Sequence, residues 1–161
     1  MELLVILTKK QAQISMTMEQ SKLHLILQVP KNVVDYNNDN CYCTGNHDTN
    51  AWICFDFKDM SVCPIKYALK SRHDFGRGSD HLKSWVVEGS NDKSRWTVLD
   101  ERVDSEALNG AGYESVFKMN MKIDKTKYYR YLRVKATGPM VSGYNNMTVA
   151  SIEFYGSLIG C

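Results

Sequence analysis

No apolar run in this chain of 161 residues can cross a bilayer, because the longest, Leu3–Leu7, is far shorter than the roughly 20 residues of a transmembrane helix. The same run does not resemble an export signal, since acidic Glu2 precedes it and Thr8–Lys10 ends it early. The chain also has little excess of either sign of charge: its net charge is only +2, whereas nucleic-acid-binding domains usually carry a concentrated excess of basic residues. These absences argue against a membrane span or a nucleic-acid partner and predict an intracellular protein, cytoplasmic or cytoskeletal.

The cysteines are few, and their number is odd, which argues against a disulfide framework. There are five cysteines, and Cys54 lies inside an apolar run that reads as a strand. Small secreted domains usually carry paired cysteines, whereas free, partly buried thiols are typical of a reducing compartment. We therefore expect free thiols, in agreement with an intracellular setting.

Long helical periodicity is missing after residue 30, and short runs of aromatic and β-branched residues take its place. Ile53 and Phe55 fall on one face of such a run, and Leu132 and Val134 share a face with Arg133 between them. Runs of this kind, separated by Gly, Asn, Asp and Ser, predict an all-β sandwich or jelly roll. The predicted strands are Trp52–Phe57, Lys66–Ser71, Leu82–Glu88, Trp96–Asp100, Tyr113–Met119, Tyr128–Lys135 and Thr148–Tyr155.

Residues 1–30 form a separate N-terminal extension in this interpretation. Leu3–Leu7 and Leu23–Val29 have the composition of strands, residues 11–21 would form a short helix or a link, and Pro30 ends the segment. We favour strands added to the edge of the sandwich over a detached docking element.

The strongest motif is Leu82–Asp92, with the sequence LKSWVVEGSND, followed by Trp96–Asp100. It resembles the core hairpin of discoidin domains, also called coagulation factor 5/8 type C domains. Three more motifs follow the family order: Ala51–Phe57, Tyr129–Val134 and Ile152–Gly156. The resemblance implies a discoidin-type jelly-roll β-sandwich, galactose-binding-domain-like, over residues 31–159. The intracellular members of protists resemble it most.

The family resemblance implies a binding module and not an enzyme. The sequence has no Gly-x-Ser-x-Gly elbow, phosphate-binding loop or His-Glu-x-x-His helix. Our leading hypothesis is an intracellular adaptor or structural subunit that holds a protein partner in a larger complex, with cytoskeletal or ciliary assemblies as its setting. The alternatives are a lectin-like domain that binds carbohydrate and, third, a peripheral membrane-binding domain.

Loops at one end of the sandwich carry the function in this family, and three loops here are candidates: Cys43–Asn50, Arg72–His81 and Thr137–Met147. Their predicted ligand-binding residues are Asn46, His47, Asp48, Arg72, His73, Asp74, Arg77, Asp80, His81, Met140, Tyr144 and Asn145.

The second loop combines Arg, His and Asp side chains, which can bind sugar hydroxyls, a carboxylate or a phosphate. In the alternative, Arg72 and Asp74 pair with each other. In the third loop, Met140 and Tyr144 would form an apolar tip of the kind that touches membranes.

No cofactor is expected, and two metal hypotheses stay open at this point. Cys41, Cys43 and His47 cluster possible zinc ligands, but a structural zinc site needs four ligands and no second pair is evident. Calcium prefers oxygen ligands, which Asn46 and Asp48 supply in the first loop.

Basic residues accumulate late in the chain, opposed nearby only by Asp124. We favour a solvated strand face with a polar turn over a patch for an acidic partner. The stretch comprises Lys118, Lys122, Lys125, Lys127, Arg130, Arg133 and Lys135.

Overall fold

The computed structural model describes residues 41–44, 49–120, 124 and 126–160. Within these residues the chain forms nine β-strands and no helix. The strands are β1 (Tyr42–Cys43), β2 (Trp52–Asp56), β3 (Met60–Lys70), β4 (Trp85–Ser90), β5 (Thr97–Arg102), β6 (Glu114–Lys118), β7 (Tyr131–Ala136), β8 (Thr148–Val149) and β9 (Ser151–Gly160). The described part therefore contains no helix that is long and apolar enough to cross a membrane.

All strand pairs are antiparallel and belong to three sheets. One sheet has the order β2-β7-β4-β5, a second has the order β6-β3-β9, and β1 pairs with β8. The side chains that the two larger sheets bury form a single hydrophobic core, and Trp85, Tyr67 and Phe154 are among its largest members. This arrangement confirms the all-β sandwich that the alternating strands predict.

Alternation along each strand decides which side chains enter the core. Ile53 and Phe55 are almost fully buried, whereas Trp52 on the same strand is 50% exposed on the outer face. In β7, Leu132 and Val134 are fully buried and Arg133 lies on the outer face between them. The period of two in the sequence therefore gives the correct face at these positions.

The hairpin of β4 and β5 places its two tryptophans on opposite sides. Trp85 is fully buried in the core, whereas Trp96 lies at the outer face under the guanidinium of Arg133. The turn between the strands is closed by Asp92, whose Oδ1 accepts backbone hydrogen bonds from Ser94 and Arg95, both at 2.8 Å. These hydrogen bonds lower the pKa of Asp92.

Most strand boundaries differ from the predicted ones by one or more residues, and two of the differences have a clear physical cause. β3 begins at Met60, not Lys66, and its pairing with β9 shifts register between Pro64 and Lys66. Proline has no N–H for a ladder and is tolerated at such a bulge, so it interrupts the sequence pattern without ending the strand. β7 begins at Tyr131, because Tyr129 instead forms an isolated bridge to Val62. The predicted extension, residues 1–30, lies outside the described residues.

Candidate functional site

Loops from distant parts of the sequence meet at one end of the sandwich. The backbone N–H of Thr44 donates to the Met147 carbonyl at 3.0 Å, which joins the first predicted loop to the third. The N–H of Val141 donates to the His81 carbonyl at 3.0 Å, which joins the third loop to the second. We call the surface formed by the loops 72–81 and 137–147, together with the adjoining residues 110–113, the loop end. Asn46, His47 and Asp48 of the first loop lie outside the described residues.

Arg72 is held by a carboxylate and an aromatic ring of its own loop. Its Nε and Nη2 atoms donate to the two carboxylate oxygens of Asp74, each at 2.6 Å, and its Nη1 lies 4.0 Å from Asp80. The guanidinium carbon lies 4.2 Å from the centre of the Phe75 ring. The hydrogen bonds from Arg72 lower the pKa of Asp74. The pairing of Arg72 with Asp74, one of the two alternatives left open by the sequence, is the one that forms.

The other predicted polar residues of the loop end reach solvent. Arg77 is 79% exposed and its Nη2 lies 3.3 Å from Glu106. His73 is exposed, and Asp80 accepts a hydrogen bond from the hydroxyl of Ser142. Exposed pairs such as Arg77 with Glu106 add little to stability, so their side chains can exchange partners when a ligand arrives.

His81 and Met140 differ from the other predicted residues of these loops because their side chains do not reach the surface. Each is fully buried. The Nε2 atom of His81 lies 2.8 Å from the Gly76 carbonyl oxygen, so the ring fixes its own loop from inside. Met140 joins the hydrophobic core and anchors the third loop. The predicted apolar tip is therefore reduced to Tyr144, which is 59% exposed, beside the partly buried Asn145.

Sequence reasoning missed two aromatic residues of the loop end. Phe75 is 49% exposed and Tyr113 is 54% exposed. Tyr113 is brought close because the neighbouring Gly112 donates its N–H to the Arg72 carbonyl at 2.8 Å. Phe75 stands among glycine and charged residues, and an aromatic in such a loop is a signal of a contact surface. Tyr113 carried no comparable signal, since it starts a predicted strand.

A concave surface, distinct from the loop end, lies on the outer face of the β2-β7-β4-β5 sheet. This depression has a volume of about 680 Å³, and its lining includes Trp52, Cys54, Lys93, Trp96 and Arg133. We call it the sheet-face groove. Burial raises the pKa of the Cys54 thiol. No sequence motif predicted this surface. The one indication in the sequence is Trp52, a large aromatic residue at an outward-facing strand position, which is typical of a binding surface.

The late basic stretch is opposed by carboxylates from other strands. Arg130 donates to Asp56 of β2 at 2.9 Å and Arg133 donates to Glu88 of β4 at 2.6 Å. Although burial opposes the shift, the hydrogen bonds from Arg130 and from the Lys58 N–H lower the pKa of Asp56. Two members of the stretch, Arg130 and Arg133, are therefore paired in space with carboxylates that are distant in sequence. Lys122 and Lys125 lie outside the described residues.

The described residues contain no group of three His, Cys, Asp or Glu side chains that could hold a metal ion. The calcium hypothesis for Asn46 and Asp48 and the zinc hypothesis that includes His47 involve residues outside that part of the chain, and both stay predictions. Cys41, Cys43, Cys54 and Cys63 are free cysteines.

Two curated relatives match this chain over a small part of their own, much longer sequences. The E3 ubiquitin-protein ligase Ufd4 of Drosophila melanogaster is 31% identical over 122 residues, which are 75% of this chain and 4% of Ufd4. The E3 ubiquitin-protein ligase hecd-1 of Caenorhabditis elegans is 26% identical over 131 residues, which are 81% of this chain and 5% of hecd-1. The chain thus spans about one twentieth of the length of these curated relatives.

Solved structures share the fold at low sequence identity. CpGH89CBM32-5 from Clostridium perfringens, in complex with GalNAc-β-1,3-galactose, matches with a TM-score of 0.58 and 13% identity, covering 77% of this chain and 81% of that one. At this identity the likeness shows the fold alone. The F5/8 type C domain model matches residues 13–154, which is most of the chain; the match includes three of the four motifs in full and the first part of the last, Ile152–Gly156. On that match, together with the sandwich, this chain belongs to the F5/8 type C domain family.

Proposed function

We propose that this chain is a non-catalytic recognition module that holds a protein partner within a larger assembly. The observation that carries the proposal is the composition of the loop end, where Phe75, Tyr113 and Tyr144 are each about half exposed. Large aromatic side chains next to arginines are enriched at the centres of protein interfaces. The backbone hydrogen bonds between the loops hold these rings in place before a partner binds, which reduces the entropy lost on binding.

The relatives support a recruiting role. Each is an E3 ubiquitin-protein ligase in which the matching region is a small fraction of the chain. A module of this size inside a long protein is well suited to select a partner for activities located elsewhere. We place its action inside the cell, where free thiols such as Cys63 persist. A cytoskeletal or ciliary assembly is one such setting.

Affinity purification of the tagged chain from the cells that express it tests the proposal. We expect a stoichiometric protein partner that is lost from the double variant Phe75→Ser with Tyr144→Ser, because interface aromatics commonly contribute more than about 1 kcal/mol each. The matched control is Val116→Ser, which changes a residue that is 56% exposed on strand β6 of the β6-β3-β9 sheet. This variant should retain the partner. Recovery of the chain alone, or equal retention by both variants, would contradict the proposal.

A lectin-like function is the second candidate, and the geometry around Arg72 favours it. A guanidinium bonded to Asp74 and stacked on the exposed Phe75 ring combines hydrogen-bonding groups with an aromatic face, which is what a sugar ring requires. A broad glycan array separates the two candidates. Binding that disappears in Arg77→Ala and in Phe75→Ser supports the lectin, whereas an array without signal for the folded chain removes it.

A further inference from the structure

The sheet-face groove contains an arginine whose position is fixed by its neighbours. The Nε of Arg133 donates to the carboxylate of Glu88 at 2.6 Å, and the guanidinium carbon lies 3.8 Å from the centre of the Trp96 ring. Its side chain is only 17% exposed. Stacking and hydrogen bonding together leave the guanidinium little rotational freedom, so little entropy remains to be lost when it binds a ligand.

The terminal nitrogens of Arg133 remain available at the groove. Neither Nη1 nor Nη2 forms a hydrogen bond with any residue that the structure describes. Two amino groups on one side of a planar guanidinium match the two oxygens of a carboxylate. Lys93 adds a second positive charge to the lining, with its Nζ 4.7 Å from the centre of the Tyr131 ring.

Both carboxylates near Arg133, including Asp56 in the lining of the groove, are already paired with an arginine. Asp56 accepts hydrogen bonds from Arg130 at 2.9 Å and from the backbone N–H of Lys58 at 2.9 Å. Glu88 accepts from Arg133 itself, and its side chain is only 12% exposed. The hydroxyls of a sugar need acceptors as well as donors, whereas this groove offers mainly donors and ring faces.

The apolar part of the groove lies next to the charged part. Trp52 is 50% exposed, and its strand neighbour Cys54 is directly opposite Arg133 in the β2–β7 register. A ligand that pairs one carboxylate with one adjacent apolar group would contact both. In an extended peptide, an acidic side chain and an apolar side chain two residues away point to the same face, so they can contact both parts of the groove.

We propose that the sheet-face groove binds an extended peptide segment of a protein partner, with an Asp or Glu carboxylate on Arg133 and an aromatic or aliphatic side chain, two residues away, on Trp52. The positive charge of Lys93 and the occupied state of the nearby carboxylates match an acidic ligand. This surface is separate from the residues of the loop end, so it does not depend on which ligand the loop end takes.

Selection of random short peptides displayed on phage, with the folded chain as bait, tests the proposal. The enriched peptides should share an acidic residue two positions from an aromatic or aliphatic one. In fluorescence anisotropy, an enriched peptide should bind roughly tenfold or more weakly to the double variant Arg133→Gln with Glu88→Gln. That pair of changes keeps both side chains polar and leaves no unpaired charge. Trp52→Ser, at a half-exposed position, gives a second variant that should fold normally and also bind weakly.

The control Arg77→Gln changes an arginine of the loop end and should bind the peptide within about twofold of the unchanged chain. Bound peptide should also slow the alkylation of Cys54 by N-ethylmaleimide while Cys43 reacts at its usual rate. Peptides without an acidic residue, or variants at Arg133 and Trp52 that bind the enriched peptide as tightly as the unchanged chain does, would overturn the proposal. Arg133-dependent binding of glucuronate oligosaccharides in place of peptides would overturn it too. If affinity purification finds no partner at the loop end, none of these peptide-binding measurements is affected. The failure of one proposal can therefore be distinguished from the failure of the other.

Discussion

Arg72 and Arg133 show how single charged residues are used in this molecule. Each guanidinium lies over an aromatic ring, Phe75 or Trp96, and donates a hydrogen bond of 2.6 Å to a carboxylate. Partly exposed ion pairs of this kind contribute only about 0–1 kcal/mol to stability. Their effect is therefore mainly to hold a planar donor group in one orientation, which is useful for binding.

Glu153 on β9 is a carboxylate in an unfavourable place. It is only 5% exposed, and burial raises its pKa although the hydroxyl of Tyr155 donates to it at 2.7 Å. Because the folded-state pKa of Glu153 is raised, its contribution to stability is fully present at pH values below the ordinary glutamate pKa of 4.5. That contribution is lost as the pH rises through the folded-state pKa.

Glu153→Gln should therefore raise the free energy of unfolding at neutral pH, because the amide is neutral and can still accept the Tyr155 hydrogen bond. The gain should shrink below pH 4.5, where the native carboxyl group is neutral as well. Urea unfolding at the two pH values measures this. Glu101→Gln, at an exposed position, is the control and should change stability by less than about 0.5 kcal/mol. An equal gain at both pH values would contradict the explanation.

At the scale of elements, the pairing of β3 with β9 depends on a bulge and a glycine. Pro64 interrupts the ladder, Ile65 beside it is 46% exposed, and Gly156 lies opposite Pro64. A Cβ on Gly156 would overlap the Cys63 carbonyl oxygen and lie 2.9 Å from the Pro64 Cα. The close approach of the two backbones therefore requires glycine at this position.

Gly156→Ala should lower the free energy of unfolding by about 1–3 kcal/mol, because backbone atoms must move to admit the methyl group. Gly76→Ala is the matched control, since a Cβ there meets nothing within 4 Å. Urea titrations of both variants test the difference. Equal stability of the two variants would show that the bulge adjusts freely.

At the scale of the whole molecule, a buried hydrogen-bond chain connects the two larger sheets. The Trp85 indole on β4 donates to the hydroxyl of Tyr67 on β3 at 2.9 Å, and that hydroxyl donates to Asp100 on β5 at 2.7 Å. Burial, followed by the hydrogen bond to Asp100, raises the pKa of Tyr67 well above its usual range. The phenol thus stays protonated and joins the sheets at all ordinary pH values.

Tyr67→Phe should lower the free energy of unfolding by about 1–3 kcal/mol, because it leaves the buried Trp85 N–H without its acceptor. Near-ultraviolet and far-ultraviolet circular dichroism should still give coincident urea transitions, since one core underlies both sheets. Tyr113→Phe, at a position 54% exposed, is the control and should change stability by less than about 0.5 kcal/mol. Separate transitions for the two probes would show that the sheets unfold independently.

The sequence alone predicted the sandwich because strand alternation and turn residues are local properties. Ile53 with Phe55, and Leu132 with Val134, fall on the core side as their period of two requires. The Leu82–Asp92 motif identified the family from neighbouring residues only. The bulge at Pro64 was missed because the partner that tolerates it, Gly156, is far away in the chain.

Only the tertiary structure decided which polar and apolar residues form sites. Met140 lies in a polar loop of the sequence, yet packing between elements buries it completely. Trp52, Trp96 and Arg133 come from three distant segments and meet in the sheet-face groove only because β7 pairs with both β2 and β4. Such contacts depend on strand register and on which faces of the sheets pack together. Both are determined by burial between residues that are far apart in the sequence, so a local sequence pattern cannot predict them.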